Sequence, residues 1–203
     1  MLQSNKYAFG LDSASAVMQQ ASGLVDHLKK TLRLKGDESG EEWTNSNFDA
    51  LRSFFPKDLQ LQDFPSNAMP TSRRERMEFL WDFIAYKQGQ GIFLAAESEQ
   101  ETRDRNGKRE DLKHDFEKLL YVRAPLKLLI CKTETGGTAN DLARDLGKFA
   151  ANACQHFDPG SVLILYCRTS KQGEEDVAFI WRSPGDPNAI FDEPLVFTQM
   201  SVA

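Results

Sequence analysis

A chain of 203 residues, 40% hydrophobic and 10% aromatic, has enough apolar surface to bury a core and fits one domain, or one domain with an appendage. Its net charge of −5 and pI near 5.3 leave no global basic footprint of the kind that marks nucleic-acid binders. No apolar run approaches the roughly 18 residues a membrane span needs, and the polar start MLQSNKYAFG lacks a secretory layout, so a globular protein of the cytoplasm is expected.

Residues 13–35 are predicted to be a helix, because Val17, Ala21, Leu24, Val25, Leu28 and Leu32 repeat at the spacing of one buried stripe, with Asp12 or Ser13 as its cap. The polar stretch 35–47 reads as a loop in which Trp43 is either an interface anchor or folds back onto the core. A short helix over 48–55 ends at Pro56, and 56–72, with Pro56, Pro65 and Pro70, reads as an irregular connection. The expected organisation is an N-terminal helical segment, 1–60, on an α/β core, 61–203.

Residues 79–99 read as an antiparallel hairpin turning at Gly89 and Gln90, although the stretch from Arg73 to Tyr86 also fits a helix tolerably. Beyond it, Leu112, Phe116, Leu119 and Leu120 mark a helix over 111–123 stopped by Pro125, followed by an apolar strand, 126–130. A turn at Gly136 and Gly137 leads into a helix over 138–157, with Thr138 and Asp141 in the form of a capping box. Strands at 162–167 and 177–181 complete the pattern. Strand–helix–strand–helix–strand implies parallel pairing, so the fold class is α/β, a mixed central sheet flanked by helices with an antiparallel hairpin at each end.

Cys131, Cys154 and Cys167 are odd in number, widely spaced and in apolar contexts, which argues for buried reduced thiols and against a disulfide framework or a zinc site. His27, His114 and His156 fall on separate predicted helices with no shared spacing, so each reads as a surface or boundary residue. TETGGTAND, from Thr133, has the glycine turn and helix start that can cradle a phosphate, but it lacks the lysine and spacing of a P-loop and reads first as a capped helix.

The chemistry concentrates in the hairpin. Strand side chains alternate faces, which puts Asp82 on one side of the first strand and Glu97 and Glu99 on the matching side of the second. With the turn at Gly89 and Gln90, Asp82 falls opposite Glu97 and Leu80 opposite Glu99. Like charges so placed repel, and a divalent cation would relieve the repulsion, since carboxylate oxygens are the donors that Mg²⁺ and Mn²⁺ prefer. The competing reading is an ordinary hairpin whose acids face water. Trp81 and Phe83 are expected in the core, on the face opposite Asp82.

This layout resembles the PD-(D/E)XK, or restriction endonuclease-like, nuclease superfamily, in which an acid on one hairpin strand faces an acidic dyad on the next, and a helix and strand follow. The resemblance covers residues 74–131. It matches Asp82 to the first acid and Glu97 to the second, and it places Glu99 where the family usually has lysine. Trp81 stands where the family has proline before the first acid. Lys118, or less plausibly Lys113, from the following helix could supply the missing lysine. The resemblance implies a metal-dependent nuclease: Asp82 and Glu97 holding Mg²⁺ or Mn²⁺, Glu99 or Lys118 orienting the attacking water, and DNA as substrate. The basic loop 103–109 would then meet the phosphate backbone, while Arg73, Arg74 and Arg76 precede the hairpin. A nuclease-like fold without catalysis, acting as a binding or regulatory module, is the alternative, and a protein partner or a homodimer stays open.

Overall fold

The computed structural model describes residues 14–32, 38–57, 59–63, 81–100, 110–152, 160–171, 173–182 and 195–197. Among them, α1 (Ala14–Thr31) and α2 (Gly40–Phe54) precede the strands β1 (Gln60–Asp63), β2 (Phe83–Lys87) and β3 (Gly91–Glu99). Next come α3 (Glu110–Tyr121), β4 (Leu126–Thr133), α4 (Gly136–Asn152), β5 (Val162–Thr169), β6 (Val177–Arg182) and β7 (Leu195–Phe197). The strands form one seven-stranded sheet in sequence order. β1, β2 and β3 are antiparallel, β3, β4 and β5 are parallel, and β5, β6 and β7 are antiparallel again. The fold is therefore α/β with a mixed, open sheet.

Among the described residues, each face of the sheet carries a pair of helices. Leu24 and Leu28 of α1 and Phe48 and Leu51 of α2 bury against Leu128 and Ile164 on one face. On the other, Phe116 of α3 and Leu146 of α4 bury against Leu129, Leu163 and Trp181. β4 and β5 are covered on both sides, which explains why their sequences are nearly continuous apolar runs and do not alternate. α3 and α4 are the crossovers that parallel pairing of β3, β4 and β5 requires.

Several elements depart from expectation. The predicted loop 35–47 contains the start of α2, with Ser39 and Glu42 in a reciprocal capping box. Of the two readings of Trp43, the core one holds: it is buried in α2 and is not an exposed interface anchor. β1 lies in the supposed irregular connection, and β7 was not anticipated. α1 ends at Thr31, but all six residues of its predicted stripe are buried. α4 starts at Gly136, and the capping partners are Thr135 and Thr138: each backbone N–H meets the other's hydroxyl, at 3.0 and 3.2 Å. Asp141 instead pairs with Arg144. Cys131 and Cys167 are buried thiols not joined in a disulfide, Sγ to Sγ 3.5 Å, on adjacent strands. His27 bonds Ser53 and the Ala50 carbonyl of α2, and His114 is exposed on α3. Cys154, His156 and the candidate caps Asp12 and Ser13 lie outside the described residues.

Candidate functional site

The β2–β3 register is the expected one: Phe83 faces Ala96, Ile84 faces Ala95 and Ala85 faces Leu94, so one step outward sets Asp82 opposite Glu97. Gly89 and Gly91, at φ 77° and 98°, allow the turn, and a bulge between Ala85 and Tyr86 takes up the odd residue on the turn side. Asp82 itself is not in the strand; it sits in the bend just before β2. There its carboxylate accepts the Ser98 N–H at 2.9 Å, the next donor along β3 after the β2 ladder stops. The bend also corrects the expectation for Trp81, which packs against the α3–α4 layer with its indole N–H toward the Lys118 carbonyl at 3.5 Å. Phe83 is in the opposite, α1–α2 layer as expected.

Glu97 points toward α3, on the same face as Ala95, and is 1% exposed. Lys118, on the last turn of α3, reaches its Oε1 at 2.8 Å and also reaches Asp115 Oδ1 at 2.9 Å. Sequence reasoning missed Asp115, and its i, i+3 spacing to Lys118 on a helix was the available signal. The structure thus brings together Asp82, Glu97 and Lys118 and adds Asp115. Glu99, half-buried, lies one step further along the face of β3, beside Cys131. Among the described residues, no three His, Cys, Asp or Glu side chains converge as a ready-made metal cage. Lys113 is exposed, and the basic loop 103–109 and Arg73, Arg74 and Arg76 lie outside the described residues.

Burial dominates the electrostatics. It pushes the Glu97 carboxyl up to about 9, helped by the charge of Asp82, while Lys118 pulls the other way. Asp82 is also raised, again by burial first, against the pull of the Ser98 N–H. Both carboxyls are thus shifted toward the protonated form, Glu97 the more strongly. Burial disfavours the charge on Lys118, yet Glu97 and Asp115 together hold its pKa above the ordinary lysine value. The site is a buried pair of acids, both shifted toward the protonated form, beside an amine held in its charged form.

At the start of α4, the turn considered for phosphate is already satisfied: Glu174 accepts the Gly136 N–H at 2.6 Å, and Thr135 accepts that of Thr138. No protein-family model and no curated protein sequence matches the chain.

Proposed function

We propose that the protein is a metal-dependent nuclease with a restriction endonuclease-like core that hydrolyses phosphodiester bonds of DNA. The observation that carries this reading is Lys118, which arrives from the helix after the hairpin to lie 2.8 Å from Glu97, where a lysine on β3 itself is lacking. The strand order supports it: an antiparallel β1–β2–β3 run, then α3, then β4 parallel to β3.

Asp82, in the bend before β2, and Glu97, on β3, supply hard oxygen donors, the chemistry that suits Mg²⁺ or Mn²⁺. When bound, such an ion polarises a phosphoryl oxygen and acidifies a water. Lys118 is held protonated, so it serves as a charged donor to developing negative charge and not as a base. Asp115 fixes the angle of that amine, and Glu99 is the nearest further acid on β3 to orient a water.

The second reading is a nuclease-like fold without catalysis, used as a binding or regulatory module. It is favoured by the covering of Glu97 and by the engagement of Lys118 with two acids, which leaves the site closed in this state. Incubating linear and single-stranded DNA with the protein in Mn²⁺ separates the two. Cleavage that depends on metal and disappears in Asp82→Ala supports the nuclease, and intact DNA under every condition assigns the fold to binding.

A further inference from the structure

Behind the acid pair, on the opposite face of the sheet, runs a chain of buried hydrogen bonds. Ser98 follows Glu97 in β3, and its side chain points toward α2 while its backbone N–H holds Asp82. Asn47 of α2, fully buried, donates from Nδ2 to Ser98 Oγ at 2.8 Å. The Asn47 Oδ1 in turn accepts from Arg168 Nη1 at 2.8 Å. Arg168, at the end of β5, is itself fully buried, lies over the Trp43 ring at 4.3 Å and pairs with Glu38 at 3.1 Å.

The polarity of this chain is fixed. A guanidinium only donates, so the Asn47 oxygen must face Arg168, its NH₂ must face Ser98, and the Ser98 hydroxyl must accept. Gln100 adds a second tie, donating to the Glu38 carbonyl at 2.9 Å. The outer end of β3 is therefore held from the α2 side at Ser98 and at Gln100, on either side of Glu99. Among the described residues, no strand residue beyond Phe83 pairs with β3 on its β2 edge; β4 holds the other edge through Ser98 and Glu99, and the Asn47 tie adds a hold on the Ser98 side chain from the α2 face, next to the peptide N–H that meets Asp82.

We propose that Asn47 and Ser98 are positioning residues for Asp82: through the Asn47–Ser98 bond, α2 and Arg168 hold the Ser98 N–H against the Asp82 carboxylate and so set that acid beside Glu97. The consequence for metal binding rests on the nuclease reading; the geometry of Asp82 does not. Asn47 reaches β3 through Ser98, and Arg168 reaches it through Asn47 and, by its pair with Glu38, through the Gln100 tie.

Ser98→Ala removes the hydroxyl without entering the acid cluster and leaves the Asn47–Arg168 bond in place, which makes it the variant of choice should Asn47→Leu fail to fold. Native-state hydrogen exchange is read at residue 98 against the core amides of Leu129 and Leu163, with Mn²⁺ binding measured by calorimetry on the same samples. The expected result is an exchange rate at residue 98 raised about tenfold over those references and a Mn²⁺ Kd weakened about five- to tenfold, both restored in Ser98→Thr. Exchange that rises equally at all the amides, or stays unchanged at residue 98, overturns the proposal, as does unchanged Mn²⁺ affinity in Ser98→Ala. If residue 98 responds while the wild type binds no Mn²⁺, the metal reading of the cluster fails and the positioning of Asp82 stands.

Discussion

Glu97 keeps its proton far above the range of an ordinary carboxyl, and this couples its ionisation to folding. Its folded value of about 9 compares with 4.5 for the free side chain. Between those values the folded protein binds a proton that the unfolded chain has released. The stabilisation is therefore complete in acid and is lost as pH rises through the folded value, with a slope of at most about 1.4 kcal/mol per pH unit for one proton. Asp82 is shifted in the same direction and adds to the trend. Glu97→Gln keeps the shape and cannot ionise, so urea denaturation from about pH 5 to about pH 9 should give a flatter stability profile than wild type and a more stable protein at the alkaline end. Profiles that coincide would mean Glu97 is ionised throughout, fully matched by Lys118.

Among the elements, α2 separates what the sequence revealed from what it hid. Its start carried a readable signal, since Ser39 followed by Glu42 has the spacing of a capping box, but the polar composition around it suggested a loop. The apolar stripe is broken where Asn47 falls among Trp43, Phe48 and Leu51, and nothing local explains a buried asparagine. Its partner, Arg168, is 121 residues away, and a contact of that separation leaves no periodic trace. The hairpin was legible for the opposite reason: alternation and turn glycines are local, and they set Asp82 across from Glu97. Lys118 was legible as a candidate and Asp115 was not, because the family pattern directs attention to lysine and not to the acid that holds it. β1, with the sequence QLQD, is short, polar and, among the described strands, paired on one side only, so it offered no signal. Removing the α2 cap in Ser39→Ala should cost about 1 kcal/mol in a denaturation midpoint, with Ser39→Asp close to wild type.

At the level of the whole molecule, the two helix layers seal both faces of β4 and β5, and Cys131 and Cys167 report on that seal from the centre of the sheet. Both are fully buried, so a thiol reagent reaches them only when the sheet opens. Alkylation at these two positions, followed by peptide mass mapping, should be slow under native conditions and should rise with denaturant in parallel with global unfolding. Rapid native labelling would show that α3 and α4 detach without loss of the rest.

The bulge between Ala85 and Tyr86 divides the hairpin into two mechanically separate parts. On the inner side, Phe83 and Ala85 are locked into the core, and any slip by one residue would turn them toward the wrong layer. On the outer side, the stretch through Gly89 makes few demands, with Gln88 and Gly89 exposed. A change in loop length there is absorbed before it reaches the acids, much as a splice in a rope's free end leaves the knot alone. Apart from its positive-φ glycines, Gly89 and Gly91, the hairpin tip can therefore vary in length and composition, or carry a grafted reporter peptide, while Asp82 and Glu97 stay in step.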